Sequence, residues 1–389
     1  MKAIKLLTLH FLILRFLSGF AHMTALAQDV ESDMSNPGYQ SYLAHIAAAN
    51  ASLRLNEPVE ARRWLELAPA HWRGWEYRYL MAMSDKSLGV FDSLSSQPMS
   101  QDYSSDGRFL ATACEDSTVR IYDLESSKVK VKLAGHRGAV YSAQFFPGGE
   151  KILTCSRDSL IRTWNIEGEL LNEANAGGHG LQYADISPAG DRIAYASWKR
   201  TDTGVIGIVS LWDANTFEKT WETDFDVKPI VKVKFSPDGS QFAVGTWGWK
   251  VGVWETANPV ESAVFDFDDV PTYSAIDDIA FSPDGKKIAA ASRNGSPRVW
   301  SLETGEKILE LHGHDKPVMS ITFSPDGNQI YTGGSDASVA IWNADTGIKL
   351  GRLFGHGNSV NSIEFRPIER VSGAAGTSGA RTLSTISSD

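Results

Sequence analysis

Two short stretches carry side chains that could do chemistry. His312–Asp315 reads HGHD, and two imidazoles with a carboxylate are plausible ligands for a divalent metal. Asp277 and Asp278 are the one acidic pair in the alternating apolar segments of the chain. Adjacent residues of a strand point to opposite faces, so that pair is not expected to act together on one substrate. No His-Glu-x-x-His, Gly-x-Ser-x-Gly or Cys-x-x-Cys motif and no glycine-rich phosphate loop is present. Two further sets share a strict spacing: His136, Asp158 and Trp164 are separated by 22 and 6 residues, and His314, Asp336 and Trp342 by the same 22 and 6.

The elements that position these residues follow from repetition. FSPDG occurs unchanged at Phe235, Phe281 and Phe323, with degenerate copies at Tyr103, Phe145, Ile186 and Phe365. Successive starts are 42, 41, 49, 46, 42 and 42 residues apart. That period matches the ~40 to 45 residues of a four-stranded propeller blade. Each copy is a turn between two short strands, such as Val318–Phe323 before it and Gln329–Gly333 after it; in the unchanged copies proline presets φ and Asp-Gly supplies the reversal. A third strand then ends on Tyr122, Trp164, Trp212, Trp254, Trp300 or Trp342.

On these residues the chain resembles the WD-repeat β-propeller family over residues 88–389. The resemblance implies an all-β fold, a seven-bladed β-propeller whose seventh blade is incomplete. It also implies a buried hydrogen-bond chain from Trp through a hydroxyl and His to Asp: His136, Ser156, Asp158 and Trp164 in the second blade, and His314, Asp336 and Trp342 in the sixth. Such a network rigidifies a blade only when every member is satisfied. The sixth blade has Gly334 where the hydroxyl is expected, the fourth has Gly248 and the fifth Asn294 in place of Asp, and the third has an enlarged turn, Lys199–Gly204. With His314 in the network and His312 at the end of an outer strand, no metal and no cofactor is expected.

In the seventh copy Asp389 follows His356 by 33 residues instead of 22, an excess of eleven that coincides with the small-residue run Val371–Ala380. Asp389 is therefore expected to be the turn Asp, with the third strand of that blade missing. Gly89–Leu94 stands where an outer strand belongs, and in this family an N-terminal strand commonly completes the last blade. Either that strand shifts inward to pair with Thr382–Ile386, or the chain is a truncated version of a longer one, which is the expectation preferred here.

The N-terminal segment reads differently. Lys2 and Lys5, an apolar run from Leu6 to Phe20 and ALA at Ala25–Ala27 have the layout of a signal peptide, residues 1–27. Fifteen apolar residues interrupted by His10 and Arg15 fall below the ~20 needed to span a bilayer. Residues 28–87 are helical: Tyr39–Asn56, a helix restarting near Pro58 and ending at Pro69, and a third with Trp72, Trp75, Tyr79, Leu80 and Met83 on one face. Ala61, Leu65, Ala68 and Pro69 resemble the second helix of a tetratricopeptide-type hairpin, and Arg73–Leu80 resembles the helical segment before the propeller of bacterial WD-repeat proteins.

Composition narrows the partners. The formal net charge is -10, which makes nucleic acid an unsuitable partner. Cys114 and Cys155 are the only cysteines and read as buried small residues, with no disulfide expected. With its leader removed the chain has no integral membrane span, so it is expected to be exported, periplasmic or secreted. Its function is expected to be that of a non-enzymatic platform binding a protein or peptide on the ring face; the alternative is a propeller hydrolase or sugar-acting enzyme with a site in the central channel. In WD-repeat rings the residues three and five after the His, and the one before the turn Asp, crown the channel. By position these include Met99, Glu115, Tyr141, Arg157, Trp247, Asp277, Arg293 and Met319.

Overall fold

The computed structural model describes residues 36–54, 58–74, 76–77, 80, 96–177, 179–202, 204–225, 228–267, 275–354, 356–367 and 383–387. The expected leader, the candidate strand Gly89–Leu94, the insertion Val371–Ala380 and Asp389 lie outside these residues, as do Trp75, Tyr79 and Met83. The chain divides into two compact units, Met1–Val90 and Phe91–Asp389. Among the described residues, no helix is long and apolar enough to cross a membrane.

In the first unit, α1 (Pro37–Arg54) and α2 (Pro58–Leu67) form a hairpin followed by a 3-10 turn at Ala70–Trp72. Both helices open on proline, whose fixed φ suits the first helical turn where its missing N–H costs nothing. Ala49, Ala61 and Leu65 are fully buried between them, with Tyr42, Ile46, Ala68 and Leu80. Trp72 meets Tyr39 edge-on with ring centroids 5.0 Å apart.

The second unit is all-β. Its first four-stranded sheet is β1 (Pro98–Tyr103), β2 (Phe109–Cys114), β3 (Thr118–Asp123) and β4 (Lys128–Ala134). The second is β5 (Val140–Phe145), β6 (Lys151–Ser156), β7 (Leu160–Asn165) and β8 (Leu170–Asn175). The third is β9 (His179–Ile186), β10 (Arg192–Thr201), β11 (Gly204–Asp213) and β12 (Lys219–Phe225), and the fourth β13 (Ile230–Phe235), β14 (Gln241–Thr246), β15 (Lys250–Glu255) and β16 (Glu261–Asp266). The fifth is β17 (Ile276–Phe281), β18 (Lys287–Ser292), β19 (Arg298–Ser301) and β20 (Lys307–Glu310), and the sixth β21 (Val318–Phe323), β22 (Gln329–Gly334), β23 (Ser338–Asn343) and β24 (Lys349–Phe354). A seventh sheet pairs β25 (Val360–Phe365) with β26 (Leu383–Ser387). The structure thus shows six complete blades and, where an incomplete seventh blade was expected, a two-stranded sheet among the described residues.

Each sheet is an antiparallel meander because its connections are short turns. In the turn copies the serine hydroxyl donates to the aspartate two residues on, as Ser236 does to Asp238 at 2.6 Å and Ser324 to Asp326 at 2.6 Å. The following glycine takes a left-handed φ, +72° at Gly239, which side chains disfavour. The enlarged turn of the third sheet is a longer hairpin: β10 and β11 stay paired out to Thr201 opposite Gly204.

Neighbouring sheets bury each other's faces. Ala111, Ala113, Val119 and Ile121 of the first pack on Val140, Ala143, Ile152 and Trp164 of the second. Each inner strand touches the next, and β25 touches β1, so the inner strands close into a ring. At that seam the Gln101 amide donates to the carbonyls of Ser384 (3.0 Å) and Ser362 (3.4 Å), and Arg366 Nε donates to Gly107 O at 2.7 Å.

Candidate binding face

The spaced residues come together as hydrogen-bond chains. In the second blade Trp164 Nε1 donates to Thr154 Oγ1 at 2.9 Å, Thr154 Oγ1 lies 2.8 Å from His136 Nε2, and His136 Nδ1 lies 2.9 Å from Asp158. One proton arrangement satisfies all of them: a neutral imidazole protonated on Nδ1, with the threonine hydroxyl donating to Nε2. Burial holds the His136 imidazolium pKa below its usual value against the pull of Asp158. Burial alone would raise the Asp158 carboxyl, but the Arg137 amide and His136 hold it below the ordinary range.

The hydroxyl of this chain is Thr154, not Ser156, which corrects the sequence expectation. Ser156 Oγ donates to Gly138 O at 2.9 Å and accepts from the Asp158 amide at 3.2 Å, fastening the turn. The reason is register. Trp164 stands opposite Ile152, so its indole reaches the diagonal neighbour Thr154, while Ser156 is two residues farther along.

The sixth blade is also complete. Thr332 Oγ1 accepts from Trp342 Nε1 at 2.8 Å and lies 2.8 Å from His314 Nε2, and His314 Nδ1 is 2.9 Å from Asp336. Hydrogen bonds from His314 and Ser338 hold the Asp336 carboxyl well below its usual range although burial opposes them. Gly334 matches Ser156, so it is not a gap in the chain. A Cβ there would stand 2.5 Å from His314 Nδ1 and 2.5 Å from Asp336 Oδ1.

Where the turn Asp is missing, substitutes serve. In the fourth blade Thr246 Oγ1 accepts from the amides of Gly248 (3.0 Å) and Lys250 (3.2 Å). In the fifth, Asn294 Oδ1 accepts from Ser296 N at 3.0 Å. In the third, Trp212 Nε1 donates to Ser210 Oγ at 2.9 Å.

The eight face candidates share one end of the ring. Met99, Tyr141, Asp277 and Met319 are the second residues of inner strands, and Glu115, Arg157, Trp247 and Arg293 lie in the turns after second strands, which antiparallel pairing brings to that same end. The four inner-strand positions fall within register shifts, such as the one between Ile276 and Asp278. A bulge interrupts alternation and re-aims the extra side chain. The assumption of strict alternation at Asp277 and Asp278 is corrected accordingly. The two carboxylates nevertheless have different partners: Arg293 bonds Asp277 through Nε (2.9 Å) and Nη2 (3.0 Å), whereas Asp278 takes Lys232 at 3.1 Å and the Ile321 amide at 3.1 Å.

Exposure separates these candidates. Glu115, Arg157, Trp247 and Arg293 are exposed, and Met99, Asp277 and Met319 are half-buried. Tyr141 is buried, its ring 6.1 Å from that of Tyr183, so it is a wall of the channel mouth and a poor contact candidate. Trp247 is 39% exposed beside Trp249, which holds a left-handed φ of +72° and packs into the core between the fourth and fifth blades.

Sequence reasoning missed the channel lining. Asp102, Asp185, Lys234 and Glu364 stand one residue before the aromatic or aliphatic residue that opens each turn copy, and Lys232 and Asp278 three before it. That shared offset was the available signal. Asp102 accepts from the Phe145 amide at 2.6 Å, and Asp185 from the Phe235 amide at 2.6 Å. These carboxylates fasten one inner strand to the next. Lys232, Lys234, Asp185, Asp278 and Glu364 line a cavity of about 250 Å³ in the ring. Cys114 and Cys155 are buried and free, as expected.

Six four-stranded meanders and a two-stranded sheet close into a ring, two of the blades are tied by Trp–Thr–His–Asp chains, and the chain carries WD repeats. The family described as WD domain, G-beta repeat matches residues 86–123, 127–165, 270–301 and 305–343. The chain is 26% identical to COMPASS component SWD3 of Saccharomyces cerevisiae over 244 residues, 56% of this chain and 73% of that protein. It is 26% identical over 272 residues to a guanine nucleotide-binding protein subunit beta of Nicotiana tabacum, covering 62% of this chain and 70% of the relative. Other relatives are longer: the chain spans 23% of periodic tryptophan protein 2 of Arabidopsis thaliana, at 21% identity.

Proposed function

We propose that this protein is a non-enzymatic interaction platform, exported from the cell, that holds a protein or peptide on the ring face carrying the turns after the second strands. The carrying observation is Trp247, an exposed indole at the same end of the ring as the exposed side chains of Glu115, Arg157 and Arg293. Aromatic residues and arginine are the side chains enriched at interface hot spots. The relatives support the reading, since one is named as a component and another as a subunit.

The enzyme alternative requires carboxylates or imidazoles that converge on a substrate. Here Asp102, Asp185 and Asp278 each accept a backbone amide of the next blade, and His136 and His314 are buried in the blade networks. Immobilised wild-type protein should capture a binding partner from the exported fraction, and Trp247→Ala should weaken that capture by ~1 kcal/mol or more, as truncation of a hot spot does. Lys286→Ala, in the turn at the opposite end of the ring, should leave it unchanged. Equal capture by the wild type and Trp247→Ala would remove the site from this face. Export is tested by intact mass: the mature chain should begin at Gln28, and a retained Met1 would end that part of the reading.

A further inference from the structure

The fifth blade keeps the arginine that goes with a turn aspartate but not the aspartate. In the first, second and sixth blades a guanidinium stands beside the turn carboxylate: Arg120 Nη2 donates to Asp116 at 2.8 Å, Arg162 Nη1 lies 3.5 Å from Asp158, and Arg352 Nη1 lies 3.4 Å from Asp336. In the first two of these the arginine follows the aspartate by four residues. Arg298 follows Asn294 by four, and β19 sets it opposite Ala290 as Arg120 stands opposite Thr112 and Arg162 opposite Thr154. Arg298 is buried, with its Nε 3.6 Å from Glu310. A guanidinium in this position suits a carboxylate at residue 294, where the sequence supplies an amide.

Asn294 already occupies the aspartate's place. Its Oδ1 accepts from the amide two residues on, Ser296 N at 3.0 Å, as Asp116 accepts from Thr118 (3.2 Å) and Asp158 from Leu160 (3.1 Å). The residue after it holds the same left-handed φ in all three turns, +67° at Ser117, +68° at Ser159 and +85° at Gly295. In the fifth blade that residue is glycine, and a Cβ there would stand 3.3 Å from His314 O. Asn294–Gly295 is the one Asn-Gly pair in the chain. Asparagine is thermolabile because the next backbone nitrogen can attack its side-chain carbonyl, and a glycine nitrogen, with no Cβ beside it, is the least hindered for that attack.

We propose that Asn294–Gly295 is a self-modification site, at which the Asn294 carboxamide is hydrolysed to the turn aspartate that Arg298 is placed to receive. Hydroxide takes the Gly295 amide proton, and the nitrogen attacks Asn294 Cγ. The bond from Cγ to the carboxamide nitrogen breaks and ammonia leaves, its last proton coming from water, which regenerates the hydroxide. Water then adds to the Cγ carbonyl of the five-membered imide and the new N–Cγ bond breaks, restoring the Gly295 amide and leaving a carboxylate. The net change is one water in and one ammonia out. Opening at the other carbonyl gives isoaspartate, whose extra backbone methylene lengthens a turn that the ladder on either side holds to one length. The Gly295 amide donates to Ser292 O at 3.1 Å, so attack waits on opening of this turn.

Ageing the full chain at neutral and at mildly alkaline pH, followed by peptide mass spectrometry with fragmentation that separates aspartate from isoaspartate, tests this. Asn294 should lose its amide faster than the exposed Asn175 and Asn328, and faster still at the alkaline pH, with aspartate among the products. The chain unfolded in urea should convert as well and is the control for the chemistry. Asn294→Asp should have a higher urea midpoint than freshly purified wild type, because its carboxylate meets Arg298, and Asn294→Gln should neither convert nor gain. Burial alone would raise the Asp116 carboxyl, but Thr118 and Arg120 hold it below the ordinary 3.8. A carboxylate held low in the same way stabilises above that value and loses its contribution as pH falls through the lower folded value, so the Asn294→Asp gain should be present at neutral pH and absent in acid. An intact Asn294 in the folded chain while the unfolded chain converts, conversion to isoaspartate alone, or an Asn294→Asp midpoint at or below that of wild type overturns the proposal.

Discussion

His356 Nε2 lies 2.6 Å from Thr385 Oγ1, the contact that His136 makes with Thr154 and His314 with Thr332. The separation is 29 residues in the seventh sheet and 18 in the other two, a difference of eleven. Val360 faces Ser387 as Val140 faces Ser156 and Val318 faces Gly334. The seventh sheet therefore keeps the register of a complete blade across its insertion. Thr385→Val should leave His356 without its hydroxyl and cost ~1 to 3 kcal/mol at that site. Faster exchange of the Val360–Phe365 amides is the expected readout, and unchanged protection would mean that the contact does not hold this pair.

The second blade distinguishes two hydroxyls. Thr154→Val strands both Trp164 Nε1 and His136 Nε2 and should cost ~1 to 3 kcal/mol, and in a double-mutant cycle with Trp164→Phe the two losses should not add. Strict additivity in urea denaturation would show that Thr154 and Trp164 are not coupled.

Gly334 offers a test with the opposite expectation from simple motif matching. Introducing a serine to resemble Ser156 would push a Cβ into His314 and Asp336, so Gly334→Ser should destabilise by roughly 1 to 3 kcal/mol as overpacking does. A stabilised variant would mean that the sixth-blade network has room the structure does not show.

Acid should act through the same networks. Asp158 and Asp336 are held below the usual carboxylate value of 3.8, so they contribute stability above that value that is lost as pH falls through their lower folded values. His136 is held below 6.5, so the folded state binds its proton less readily than the unfolded chain, and that stabilisation is lost as pH falls below about 6.5. Denaturation midpoints should therefore decline from neutral to acid pH, less steeply in Asp158→Asn than in wild type. Parallel profiles would remove Asp158 from the account.

The spacing was legible because a turn sequence, FSPDG in three copies and degenerate in four, recurs every 41 to 49 residues. The hydroxyl was not. Thr154 and Ser156 are two residues apart on one face of β6, equally plausible by type, and only the cross-strand position of Trp164 opposite Ile152 decides between them. The channel charges were hidden for a different reason: their partners lie on other blades, 49 residues apart for Asp185 and Lys234. The bulges that re-aim Met99, Tyr141, Asp277 and Met319 leave no composition signal, which is why Tyr141 read as an exposed contact and proved to be buried.

In the proposed function the face bearing Trp247 receives the partner. Hydrogen exchange of the protein alone and in complex with its captured partner tests it most directly. Slower exchange is expected around Glu115, Arg157, Trp247 and Arg293, with no change in the turns around Asp238, Asp284 and Asp326 at the other end of the ring. Protection confined to those opposite turns, or to the outer strands, would contradict it.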